Sequence, residues 1–323
     1  MQLLRESKLL SVAAEGLKKG VRTFLWLAAI MVPVSFVVFI LQHWGVIDLL
    51  ASFMEAPFRA IGLPGSSAIV VVTSLFLSLY SAIGVMLGLG LDLRAMTILA
   101  VVCLIAHNYL VELVVTRKTG TPVVRMLVVR SATALIAGYA LHLTLPPSMG
   151  VAVENGFDAA SSGAGAEAGA SGALADQLLF WLQQTGELMG RVLLVVTLLM
   201  LVVAFLQNYG VTKFVSRHLS PMMRLFGLPG DVAFLWVVSN TLGLSYGAGV
   251  LMEEVKEGRL SRRDGDLLNH HLSISHSLLE DTLLFAALGI PVVALVLPRL
   301  LLAIIAVWER RAEQRVRSRF HSG

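Results

Sequence analysis

Eight stretches of this chain are apolar over lengths that can cross a bilayer, and this constrains its fold more than any other feature. They run roughly from Thr23 to Leu41, Ala68 to Leu91, Ala95 to Val115, Val123 to Leu145, Leu188 to Leu206, Val232 to Met252, Leu267 to Leu288 and Val292 to Trp308. About 20 helical residues span the hydrocarbon, where a lipid-facing segment must satisfy its own backbone hydrogen bonds. The predicted class is therefore an all-α polytopic membrane protein. Composition agrees, since only 14% of the 323 residues are charged, against about 25% in a typical soluble domain. The first stretch ends in Leu41-Gln42-His43-Trp44-Gly45 without a small-residue cleavage site, so it reads as a retained helix. A single cysteine, Cys103, excludes an intrachain disulfide framework. The net charge of +4 gathers at segment ends, which is a topology signal and not a nucleic-acid surface.

The chain also repeats itself. Leu41-Gln42-His43-Trp44-Gly45-Val46 reads against Leu206-Gln207-Asn208-Tyr209-Gly210-Val211, and Gly62-Leu63-Pro64-Gly65 against Gly227-Leu228-Pro229-Gly230, at a common offset of 165. After a four-residue insertion the offset becomes 169, pairing His107 with His276, Glu112 with Asp281, Gly120 with Gly289, Pro122 with Pro291 and Arg130 with Arg299. Such self-similarity identifies a duplicated architectural unit. Residues 1–145 and 178–323 are the two copies, and the polar, Gly/Ala/Ser-rich 146–177 is a flexible tether between them.

Charge placement orients the copies. Lys and Arg concentrate on the cytoplasmic side of membrane proteins. The basic N-terminus, Arg117-Lys118, the Lys213/Arg217/Arg224 segment, Arg259 to Arg263 and the basic C-terminal tail should lie inside, and the acidic tether outside. Eight full crossings cannot satisfy this. If Ala68 to Leu91 and Val232 to Met252 each enter and leave by one face, the halves become inverted repeats. Each then has about three transmembrane helices, one re-entrant hairpin and one interfacial helix, with both termini cytoplasmic in an inner membrane. Small and polar residues at Ser78 to Gly84 and Ser239 to Gly249 weaken helix there, so the turns are expected at Ser78–Gly84 and Gly243–Gly249. Paired broken segments in inverted halves are a transporter signature.

Leu267 to Leu288 carries the polar chemistry. As one helix it aligns Asn269, Ser273, His276 and Glu280 on a face, with His270, Ser277 and Asp281 in the next row. The first copy has His107, Asn108 and Glu112. An acidic residue at the bilayer centre costs roughly 2.5–3.5 kcal/mol, so this stripe must face partners, water or a ligand. Three readings stay open. His276, Glu280, His107 and Glu112 could ligate a divalent transition metal. Asn269, Ser273, Ser277, Asn108 and Asn240 could bind a polar solute such as a nucleoside, with Tyr246 or Tyr80 as an aromatic wall and a sodium ion or proton as the coupling ion. Glu112 and Asp281 could simply neutralise Arg130 and Arg299. Hydrolase and nucleotide-binding signatures are absent from the sequence, so no catalytic residues are assigned. An intramembrane metal-dependent hydrolase using His270, His271, His276 and Asp281 is the enzymatic alternative.

At Asn240 to Gly249 and His270 to Asp281 the sequence resembles the nucleoside-recognition, or Gate domain, family of membrane proteins, whose modules also occur in concentrative nucleoside transporters, ferrous-iron permeases and sporulation membrane proteins. The resemblance implies re-entrant hairpins and a transport-related role. The chain lacks the GTP-binding domain of the ferrous-iron permeases and is shorter than full nucleoside transporters. A homodimer, or a role as the structural subunit of a heteromeric membrane partner, is the alternative to an autonomous permease.

Overall fold

The computed structural model describes residues 2–76, 78–150, 174–209, 211–241 and 243–321, and these form helices with no strand among them. The first half holds α1 (Gln2–His43), α2 (Val46–Arg59), α3 (Ser67–Phe76), α4 (Leu79–Gly88), α5 (Leu93–Ile105), α6 (Tyr109–Lys118) and α7 (Val123–Thr144). The second holds α8 (Leu174–Asn208), α9 (Val211–Leu225), α10 (Ala233–Thr241), α11 (Gly243–Lys256), α12 (Arg262–Ser275), α13 (Glu280–Ala286) and α14 (Val292–His321). Of the tether, 151–173 lies outside the described residues, while Leu174 to Gln177 already belong to α8.

Local structure recurs at the sequence offsets. Gly62 and Gly227 both take positive φ, 73° and 75°, a conformation glycine adopts without strain, and their N–H groups donate to Arg59 O and Arg224 O. Beside these turns Glu55 accepts from the Gly65 N–H, whereas Ser220 at the matching position donates to Gly230 O. Hydrogen bonds from Arg59 and from the Gly65 N–H hold the Glu55 carboxyl below the usual range. Asp92 caps α5 through the Ala95 N–H, and Ser261 caps α12 through the Asp264 N–H.

Among the described residues four helical segments are long and apolar enough to cross a membrane: Leu93–Lys118, Val123–Thr144, Leu174–Val202 and Val292–Arg317. The first is 72% buried, while the other three are 14–39% buried. The broken α5–α6 segment is thus the central one. Val128, Ile136 and Leu143 on α7, Leu194 and Leu198 on α8, and Leu297 and Ile305 on α14 remain exposed. Lipid is the natural solvent for such surfaces.

α1 and α8 pack side by side and antiparallel: Gly16 meets Leu201 and Gly20 meets Thr197, while farther along Ser35 accepts from Trp181 Nε1. Glycines one turn apart let the two backbones approach closely.

The apolar stretches are more broken than the sequence indicates, and in different places. α3 ends at Phe76 and α4 begins at Leu79, α10 ends at Thr241 and α11 begins at Gly243, and the members of each pair pack on one another. The expected turns at Ser78–Gly84 and Gly243–Gly249 are helical instead. In the first copy the reason is capping: Ser78 accepts from the Ser81 N–H and so starts α4 rather than interrupting it.

Candidate functional site

α5 and α6 would be one helix but for Ala106 to Asn108, and α12 and α13 are parted by His276 to Leu279. Asn108 and Ser277, one offset apart, are the two non-glycine residues with positive φ among those described, 51° and 52°. Each corner is tied to the preceding helix pair in the same manner. The Asn108 N–H donates to Ser74 O, the Ser277 N–H to Ser239 O, and the Leu279 N–H to Asn240 O.

Breaking a buried helix frees carbonyls that must be satisfied. Two arginines, both fully buried, do this. Arg130 Nε donates to Ile105 O at 2.8 Å and its Nη2 to His107 O at 2.9 Å. Arg299 Nε donates to Ile274 O at 3.1 Å and its Nη2 to His276 O at 2.5 Å. Their third contacts differ. Arg130 Nη1 lies 2.5 Å from Glu112 Oε2, whereas Arg299 Nη1 reaches Thr282 Oγ1 at 3.5 Å. The expected neutralisation of arginine by carboxylate is therefore found for Glu112; Asp281 makes no hydrogen bond to Arg299 among the described contacts.

The two interruptions face each other. His107 Nε2 and His276 Nε2 are 3.2 Å apart, and each lies 3.3 Å from Glu112 Oε1. All three side chains are less than 10% exposed. His107 Nδ1 is bonded to Cys103 O at 3.0 Å and His276 Nδ1 to Leu272 O at 2.8 Å. A carbonyl can only accept, so both Nδ1 atoms carry hydrogen and both Nε2 atoms turn toward the centre.

Of the other predicted site residues, Asp281 stays near enough to the centre to interact electrostatically with His276 and Glu112, and the rest of those described make their contacts away from it. Glu280 is not on the His276 face, because the break at Ser277 redirects the chain; it accepts a hydrogen bond from Tyr80 of α4 at 3.2 Å. Asp281 is buried in the first turn of α13, and Ser277 is the buried corner itself. Asn108 makes its bond through the backbone. Ser273 Oγ donates to His270 O of its own helix. Asn240 Nδ2 donates to Trp236 O, while its Oδ1 is buried without a partner. The Tyr246 side chain lies outside the described residues.

Asn269, two turns before His276, belongs to a different network. It accepts from Thr119 Oγ1 and donates to Thr121 Oγ1 and Thr116 O. Thr121 also donates to Asp266, which accepts from Arg310 and Gln314. Arg125 pairs with Glu313 and donates to His270 Nε2. These bonds fasten the first half to the second at one end of the bundle. Only Asn269 and His270 of this network were legible as polar positions within the stripe; Thr119 and Thr121 sit in a turn, and Arg310, Glu313 and Gln314 on the charged C-terminal part of α14, where polar residues need no special reason.

A family model described as "Gate: Nucleoside recognition" matches residues 189–306, spanning the second interruption and Arg299. A Bacillus subtilis (strain 168) protein described as "Uncharacterized membrane protein YvoD" is 33% identical over 290 residues, covering 90% of this chain and 91% of its own. The chain belongs to the Gate family of membrane proteins. No solved structure matches this Gate protein significantly. Its family match lies in the second half, and the His107 and Glu112 that complete the buried centre come from the first.

Proposed function

We propose that this Gate protein is a secondary permease of the inner membrane, built from inverted repeats, that passes a small polar cargo or a divalent cation between its halves without catalysing a reaction. The observation that carries this reading is the meeting of His107 and His276 across two helices interrupted at matched positions. His107 lies about midway along the Leu93–Lys118 segment. Interrupted helices crossing at mid-membrane, with polar groups turned inward, are the usual construction of a transport site. The antiparallel run of α1 against α8 supports the inverted relation, as do the cross-contacts 107–276, 119–269 and 121–266, whose order reverses along the two segments. On this reading the paired helices α3–α4 and α10–α11 are the re-entrant hairpins. The fastened end, rich in arginine at Arg117, Arg125, Arg262, Arg263 and Arg310, is cytoplasmic.

Uptake into proteoliposomes tests the reading, with divalent cations and nucleosides offered separately. The wild type should accumulate one of these classes, and His107→Ala/His276→Ala protein that remains folded should lose most of that uptake. Wild-type rates from the folded double variant would remove this centre from the transport path.

A further inference from the structure

We propose that His107 Nε2, His276 Nε2 and Glu112 Oε1 together form a three-donor site for a divalent transition metal. The proposal deepens the permease reading and rests on it for the metal's role in transport.

With both Nδ1–H groups committed to Cys103 O and Leu272 O, the two Nε2 atoms, which accept in the neutral form of each ring, stand 3.2 Å from one another. Glu112 Oε1 adds a third acceptor, 3.3 Å from each, and makes no hydrogen bond of its own. Its other oxygen is engaged by Arg130. With all three unprotonated, these buried acceptors repel unless a cation lies between them.

The spacing selects the kind of cation. In a tetrahedral site with metal–nitrogen and metal–oxygen bonds of about 2.0–2.1 Å, ligand atoms stand about 3.3–3.4 Å apart. The observed edges of 3.2, 3.3 and 3.3 Å fit such a site with its fourth position open. Calcium prefers about six to eight oxygen ligands at longer distances, and magnesium a hydrated octahedron. Two imidazoles and a carboxylate suit zinc, ferrous iron, cobalt or manganese better. The surroundings resemble a prepared ligand shell: each histidine is oriented by a backbone carbonyl and the carboxylate by an arginine, as outer partners of metal ligands commonly are. Neither half makes the site alone, since His107 and Glu112 come from one and His276 from the other.

The test is titration of detergent-purified full-length protein, carrying no polyhistidine tag, with Co²⁺, followed by displacement with Zn²⁺. The wild type should bind about one Co²⁺ per chain, with the visible absorption of a four-coordinate site, and release it to Zn²⁺. His276→Gln and His107→Gln should each weaken binding by at least about tenfold, whereas His271→Gln, whose ring contacts Trp236 and Ser275 instead, should bind as the wild type does. Folded wild-type protein that binds neither metal at about 100 μM would overturn the assignment, leaving a proton shared between the rings as the cation. So would wild-type binding by folded His276→Gln protein. The wild-type titration decides the matter even if a variant fails to fold. Metal binding without uptake of any cargo would sink the permease reading alone; nucleoside uptake by a protein that binds no metal would sink the site alone.

Discussion

Arg130 and Arg299 hold equivalent places but carry unequal burdens, which gives the clearest residue-scale prediction. Replacing Arg299 by Met strands the carbonyls of Ile274 and His276, at about 1–3 kcal/mol each. Replacing Arg130 by Met strands two carbonyls and also leaves the Glu112 carboxylate buried without its partner, a loss of about 3–5 kcal/mol by itself. Arg130→Met should therefore lower the Tm of detergent-solubilised protein more than Arg299→Met does. Equal losses would mean that Glu112 is compensated elsewhere. The sequence made the pairing of His107 with His276 legible, because both copies place histidine at the same register. It did not reveal that Glu280 would leave their face. Helical periodicity assumes an unbroken helix, and Ser277, an ordinary residue, turns the chain at positive φ because the Ser239 carbonyl receives its N–H. That tertiary bond has no local sequence signal.

At the scale of elements, the interruptions at Ala106–Asn108 and His276–Leu279 fall in stretches that read as continuous, and the expected turns are helical. Small residues were read as turn formers at Ser78–Gly84 and Gly243–Gly249, yet Ser78 is a helix cap and the stretches beyond are helical. In a membrane the same residues also serve close packing, and sequence alone does not separate the two uses. α1 and α8 show the packing use directly. A Cβ on Gly20 would stand 2.7 Å from Thr197 Cα, whereas one on Gly186 would meet nothing within 4 Å. Gly20→Leu should accordingly destabilise the protein by about 1–3 kcal/mol through overpacking, and Gly186→Leu should be close to neutral. Thermal unfolding of the two variants in the same detergent checks this, and equal behaviour would deny the close contact of α1 with α8.

For the whole molecule, the helical membrane class was legible because it rests on apolar length, and the matched glycine turns because they recur at a constant offset. The fastening at one end was not, because hydrogen bonds from a turn and a helix end to residues of distant helices leave no periodic trace. The topology that follows from the permease reading can be tested in a nearly native background, since Cys103, the single cysteine, is fully buried in α5. A membrane-impermeant thiol reagent applied from outside intact cells should label a cysteine placed at Ala164 and spare one placed at Arg262. The reverse pattern would overturn both the cytoplasmic assignment of the basic end and the sidedness of the halves.

Most of the residues that bond the two halves at the fastened end have apolar counterparts one repeat offset away. Carried across the repeat offset, Thr119 becomes Leu288, Thr121 becomes Ile290, Arg125 becomes Ala294, Asn269 becomes Ala100 and Arg310 becomes Leu141. Ala100, Leu141, Leu288 and Ile290 share one buried apolar cluster. A permease that opens its two ends in turn would therefore work with unlike doors, one held by hydrogen bonds and ion pairs, the other by close apolar packing. Unlike doors respond to different things. Charge changes near Asp266 and Arg310 would loosen the first and leave the second untouched, whereas a bulky or truncated side chain at Leu288 would do the opposite. On the permease reading the molecule would be repeated in its plan and uneven in its energetics, because the polar residues that bond one end, drawn from both copies, give way to apolar ones at most of the matching positions.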